Sequence, residues 1–378
     1  MNARLVIGNG FDLAIGARTS YHSFFESDYY CKTKKEVFHW IELWSKQSRI
    51  PPGINLTQFD FNCWDLLFCL MSKERSDDSK GIRWCDIEKE IYASLTNTEL
   101  DSFSWEIARE ILNNIAHNRK YQAGDPPYGR LLSLESSNKN TRNVAEYISQ
   151  LPEWRKCCED RSAFYEKLLD ELKRFEESFG SYIKRQTSDE EYRNNSWRLV
   201  KRMLGSESNI QIDSFNYSDF STGMIQIRHV NGDFDNPIFG INLSPEEEEK
   251  RPELRRFTKT SRRLHQDSEN LNRNTKWELI PIDYSVVFGH SLNQMDYDFF
   301  HYLFTMLQFH TFDLDKMGKI QFVYKIYDSK RSKDIRSRYA DSIFELLNYY
   351  ESNVSSVNNH ILINLLRFSG KLMICELV

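Results

Sequence analysis

The sequence predicts an α/β protein whose core is an open, Rossmann-like, mainly parallel sheet with a large helical insertion between its first and second strands. Three observations predict it. The chain opens on a short β-branched run, Ala3-Arg4-Leu5-Val6-Ile7, that ends in Gly8-Asn9-Gly10, the form of a buried strand turning sharply into a helix. A long stretch with apolar residues at helical spacing follows. Short apolar or alternating runs then return late in the chain, as the remaining strands of an open sheet would.

In chain order, residues 1–30 begin the Rossmann-like core and residues 31–204 form the helical insertion. Within the insertion Trp84, Ile87, Ile91 and Leu95 repeat at helical spacing, and so do Phe103, Ile107, Ile111 and Ile115. The clearest stripe is Phe164, Leu168, Leu172, Phe175, Phe179 and Tyr182, with Glu and Lys on the opposite face. Residues 205–330 complete the core with strands at Asn209–Phe215, Met224–Val230, Pro237–Ile241, Tyr284–Phe288 and Ile320–Tyr327, each bounded by Gly, Asn or Asp. Residues 331–378 close the chain with helices around Ile335–Tyr350 and Asn358–Phe368, packed on the core.

Composition narrows the function. With 378 residues, of which 40% are apolar and 28% charged, the chain buries a real core and is not disordered in bulk. A net charge of −5 argues against a histone-like coat for nucleic acid, although it permits a local basic face. No run of 18 apolar residues exists, so a transmembrane helix and a membrane partner are not expected. Met1 to Phe11 lack the charged region and apolar core of a secretory leader. Seven scattered cysteines without a Cys-x-x-Cys pair exclude a zinc or disulfide framework and suit a reducing cytoplasm. The 14% share of aromatic residues predicts a core rich in rings.

One segment differs from its surroundings. Glu246 to Glu249 precede Lys250, Arg251, Arg255, Arg256, Lys259, Arg262 and Arg263. An acidic first turn and basic later turns suit a solvated helix and its dipole. The same density of cations also suits contact with phosphate or nucleic acid through residues 250–263.

Four segments could carry chemistry, each where a predicted strand ends, the side on which open α/β sheets bind ligands. In the first, Gly8 and Gly10 permit close backbone approach to a ligand, with Asn9, Phe11 and Asp12 beside them. Leu13 stands where the dinucleotide fingerprint has a third glycine, and Asp12 adds a negative charge, so Asp12 caps the helix or binds a ribose hydroxyl. In the second, Asn216 directly follows a strand and either binds a ribose, orients a water or caps a turn. In the third, His229 and Asn231 share one strand face, ahead of Gly232; a histidine there can serve as general base or acid. The fourth holds Gly289, His290 and Ser291, with Asp296 further on. It lacks the flanking glycines of a nucleophile elbow, which argues against serine hydrolysis. Asp86 and Glu88 lie two apart on a predicted helix, so at most one of them points inward. No metal-binding motif is present, and no metal is expected.

Taken in order, these segments resemble the bacteriophage abortive-infection family AbiH. The residues that carry the resemblance are Ile7-Gly8-Asn9-Gly10-Phe11-Asp12-Leu13 with Gly16 and Thr19-Ser20-Tyr21, then Trp84 with Asp86 and Glu88. Phe215-Asn216-Tyr217, the strand end from His229 to Gly232, Phe257-Thr258-Lys259, and Phe288-Gly289-His290-Ser291-Leu292 with Asp296 complete it. The same order is similar to a sirtuin-like nucleotide-binding fold, in which such turns surround an NAD-type ligand. That similarity implies that Gly8 and Gly10 approach the ligand, that Asn216 orients the ribose or a water, and that Gly289 and Ser291 touch the nucleotide. Where that group has a histidine before the glycine, this chain has Asn231, so the base of a hydrolytic reaction falls to His229. The family implies phage defence and leaves three expectations open. They are cleavage of the N-glycosidic bond of NAD or a related nucleotide by Asn216, His229 and Asp296, nucleotide sensing without chemistry, and a toxin that acts on nucleic acid through residues 250–263. An oligomer is compatible with each.

Overall fold

A computed structural model of the chain describes residues 2–47, 60–76, 87–96, 105, 109, 144, 147–148, 151–205, 209–222, 227–269, 281–327, 332–354 and 361–377. Trp84, Asp86 and most of the helical repeat expected between Phe103 and Ile115 lie outside the described residues. The chain divides into two compact units, one of Met1–Thr19, Ile183–Pro237 and Asn270–Val378, the other of Ser20–Tyr182 and Ile238–Glu269.

The first unit is built on a sheet whose strands, among the described residues, are β1 (Asn2–Ile7), β2 (Asn209–Ser214), β3 (Ile227–His229), β4 (Tyr284–Phe288), β5 (Lys319–Tyr324) and β6 (Leu372–Glu376). Every pairing is parallel and the order is β3-β2-β1-β4-β5-β6, that of a doubly wound sheet. The central strands β1 and β4 are covered on both faces. Leu5, Ile7, Ile212, Val286 and Phe288 pack with Tyr192, Leu199, Val200 and Leu204 of the helix Glu190–Leu204. Val6, Val287, Ile320 and Phe322 pack on the opposite face with Phe300, Leu303 and Phe304 of the helix Tyr297–Met306. The Glu190–Leu204 helix starts where Asp189 accepts from the Tyr192 N–H at 2.6 Å and stops at Gly205, whose φ of 66° suits glycine.

Two strands depart from expectation. Pro237–Ile241 forms no strand: the Phe239 N–H is taken by the Glu176 carboxylate at 2.6 Å, and only a single bridge joins Ile241 to Thr258. Conversely, Leu372–Glu376 adds a sixth strand after the left-handed turn at Gly370, where φ is 67°. Its side chains are only partly covered, as suits an edge strand, although its Leu-Met-Ile-Cys run is as apolar as that of a buried strand.

Among the described residues the second unit is helical, with long helices at Asp28–Gln47, Cys63–Ser76 and the greater part of Arg161–Thr187. Its core is dense in rings: Phe24–Tyr30, Phe25–Phe68, Phe68–Phe175 and Phe24–Phe179 meet edge-on or tilted, with centroids from 4.6 to 6.3 Å apart, and Phe25 stacks on Phe175 at 6.2 Å.

Candidate functional site

The register of the sheet fixes which residues share its carboxyl end. Ile7 pairs with Ser214 and with Phe288, Ser214 with His229, and Phe288 with Val323. The segments after Ile7, Ser214, His229, Phe288 and Val323 therefore emerge at one level, where such sheets hold ligands.

At the centre of this end the turns after β1 and β4 press backbone on backbone. A Cβ on Gly8 would lie 2.7 Å from the Gly289 carbonyl oxygen, and a Cβ on Gly289, whose φ is 69°, would lie 2.4 Å from the Phe11 nitrogen. No side chain fits there. The Gly8 N–H donates to the Phe288 carbonyl, the Gly10 N–H to the Gly289 carbonyl and the Phe11 N–H to the Gly8 carbonyl. Phe11 is buried and stacks on Phe220 at 5.3 Å, so its ring belongs to the core. Asn9 accepts from the Thr19 hydroxyl at 2.8 Å.

Asp12 turns inward. It is 1% exposed, and its two oxygens accept from the Tyr192 and Ser218 hydroxyls, each at 2.8 Å. Burial pushes the Asp12 carboxyl above the usual carboxylate range, and the hydroxyls hold it part of the way back. Neither Tyr192 nor Ser218 was legible as a site residue, because each lies about two hundred positions from Asp12 and only the fold joins them.

Beside this network sits Asn216, 5% exposed, whose side chain helps to hold the Asp12 carboxyl down but whose Nδ2 has no partner at full hydrogen-bond geometry. Its carbonyl oxygen lies 3.3 Å from His229 Nδ1, so these two expected residues come together. His229 Nε2 lies 3.6 Å from the Asp219 carboxylate, which is held down to about 2 by His229 and by Ser221, against the desolvation that would raise it. Both neighbours of the His229 ring are thus acceptor oxygens, with Nε2 buried and beyond hydrogen-bond distance of its own.

Asp296, expected with them, pairs elsewhere. His290 Nε2 lies 3.4 Å from its carboxylate, while His290 Nδ1 accepts the Leu292 N–H at 2.9 Å. The His290 ring thus links the Leu292 backbone to the Asp296 carboxylate. His290 packs edge-on against Phe215 at 4.3 Å. Ser291 is exposed and Asn231 is buried. Gly232 takes a φ of 81°, and a Cβ there would lie 2.0 Å from the Asn236 carbonyl oxygen, so the turn after β3 requires glycine.

Two further groups escaped sequence reasoning. Lys325 and Tyr327 lie just past β5: the Tyr327 hydroxyl donates to the Gly10 carbonyl at 3.1 Å, at the turn after β1, and Lys325 Nζ lies 3.4 Å from the Ala14 carbonyl oxygen, at the C-terminal end of the short helix Asn9–Ala14 that follows. Arg4 is fully buried in β1, donating to Gln211 at 2.6 Å, with its Nε 3.5 Å from Asp213. Arg228 holds the other Asp213 oxygen at 2.6 Å. A charged residue within the otherwise apolar β1 was the one signal of that network.

In the second unit the basic segment makes internal contacts. Lys259 is 2% exposed and lies 2.7 Å from Glu88, joining two of the segments that carry the family resemblance. Arg262 clasps Glu176 through both terminal nitrogens, and Arg256 donates to the Ser162 hydroxyl and carbonyl, each at 3.1 Å. Arg251 donates to the Tyr165 hydroxyl at 3.1 Å, and Arg255 to Glu248 at 3.2 Å. Among the described residues no group of three or more His, Cys, Asp or Glu is placed to hold a metal ion, and no helix is long and apolar enough to cross a membrane.

Residues 5–314 match the family model described as Bacteriophage abortive infection AbiH. No curated protein and no solved structure matches the chain.

Proposed function

This chain belongs to the bacteriophage abortive infection AbiH family, and from that premise we propose that the carboxyl end of its sheet is a nucleotide crevice that cleaves the N-glycosidic bond of NAD or a related nucleotide. The observation that carries this reading is Asn216. A buried amide nitrogen without a well-formed hydrogen bond is costly, by roughly 1–3 kcal/mol, and a ligand at this strand end would satisfy it. It sits at the strand end where an open sheet takes its ligand.

Asn216 Nδ2 donates to a ribose hydroxyl or to the attacking water. The bond from ribose C1′ to the nicotinamide nitrogen breaks, and its electron pair returns to the ring. Nicotinamide leaves neutral and needs no acid. Water supplies the new C1′ oxygen and loses a proton to solvent. The transition state resembles an oxocarbenium ion, and the Asp12 carboxyl, with its hydroxyl partners, fixes the floor beside Asn216.

A second reading, nucleotide sensing without chemistry, draws support from His229. Its ring faces two acceptors, a poor arrangement for a general base, and Asn231 cannot replace it.

Mass spectrometry of NAD incubated with the purified chain separates the two. Nicotinamide released by the wild type and not by Asn216→Ala supports cleavage. Binding of NAD without release supports sensing, and neither binding nor release overturns the crevice.

A further inference from the structure

We propose that Lys325, poised over the Tyr327 ring beside the turn after β1, is the cation that recognises the phosphates of a ligand in this crevice. The inference rests on the nucleotide reading above and names the chemistry of its ligand. A diphosphate needs donors and positive charge, and the first turn supplies little of either. The N–H groups of Gly8, Gly10 and Phe11 already donate to Phe288, Gly289 and Gly8. Asp12 gives no positive charge and faces inward.

The next strand supplies what is missing. Val323 is level with Phe288 and, through it, with Ile7, so Lys325 emerges at the carboxyl end two residues further on. Its Nζ lies 5.4 Å from the Tyr327 ring centroid, within cation–π range. The Tyr327 hydroxyl is fastened to the Gly10 carbonyl, which fixes the ring against the glycine turn. Tyr327 is 54% exposed, so the cation stands at a solvent-facing rim. Among the described residues Lys325 contacts a carbonyl and a ring and pairs with no carboxylate, so its charge is available to an anion. An ammonium of this kind binds phosphate as a point charge.

Calorimetry on the full chain with ADP, adenosine and inorganic pyrophosphate tests this. Lys325→Gln is expected to weaken ADP and pyrophosphate binding roughly tenfold, to leave adenosine within about twofold, and to be rescued by Lys325→Arg. Tyr327→Leu, which removes the ring under the ammonium, is expected to weaken ADP about threefold while leaving adenosine unchanged. Thermal melts of each variant confirm that it folds. Equal losses for ADP and adenosine, or none for either, overturn the assignment, as does a wild type that binds none of the three probes. Phosphate-selective loss in a chain that releases no nicotinamide from NAD upholds Lys325 and rejects only the cleavage reaction.

Discussion

In the second unit Glu176 is buried against the Arg262 guanidinium, whereas in the first unit Asp12 is buried against two hydroxyls. Burial pushes both carboxyls up, but the main opposing effect at Glu176 is a full positive charge and at Asp12 only neutral donors. The first arrangement closes on itself. Arg262 also takes the Phe239 carbonyl at 2.7 Å, and Glu176 takes the Phe239 N–H, so one ion pair satisfies a backbone segment that forms no strand. The second arrangement stays open, since the Asn216 amide beside it is buried with Nδ2 unsatisfied. Internal pairing of Arg262 and Lys259 favours a structural role for the basic segment, and the unsatisfied amide directs attention to the sheet end.

The comparison can be broken most forcefully at Arg262. Arg262→Ala leaves Glu176 as an uncompensated buried acid and should cost about 3–5 kcal/mol in denaturant unfolding; a cost below about 1 kcal/mol would mean the pair is not structural.

Asp65 sharpens the contrast, because it is an acid of the second unit held by neutral donors, the Tyr30 hydroxyl at 2.6 Å and the Asn62 N–H at 3.0 Å. Burial pushes it up to about 6. Below the ordinary carboxylate pKa of about 4, folded and unfolded chains both carry the proton. As pH rises from there to about 6, the unfolded chain releases a proton that the folded chain retains. Stability should therefore fall by roughly 3 kcal/mol across that window, at about 1.4 kcal/mol per pH unit. Asp65→Asn should flatten the slope, as read from denaturant midpoints. An acid held by hydroxyls is thus not sufficient evidence of a site; Asp12 differs in lying at the carboxyl end of the sheet.

The smallest effect is expected at Asn216. Because Nδ2 has no well-formed partner, Asn216→Ala should not destabilise the fold by more than about 1 kcal/mol. A loss as large as that of Arg262→Ala would reveal a structural role and remove the observation on which the crevice rests.

The chain itself determined the strand–turn–helix opening, the inserted helices, the late strands beginning near Asn209, Tyr284 and Ile320, and the glycine turns, since these depend on local propensity and on residues close in sequence. Leu372–Glu376 carries an apolar Leu-Met-Ile-Cys run of strand type, but only helices are expected there from pattern, and its place as the edge strand beside β5 was decided by the tertiary structure. The site was legible in its segments and not in its partnerships. Gly8, Asn216, His229 and Gly289 announced themselves at strand ends. Tertiary structure alone decided that Asp296 pairs with His290, that Tyr192 and Ser218 hold Asp12, and that Tyr327 reaches Gly10. Those contacts join residues from six to more than three hundred positions apart. A side chain's partner is set by strand order and register, which pattern along the chain does not specify.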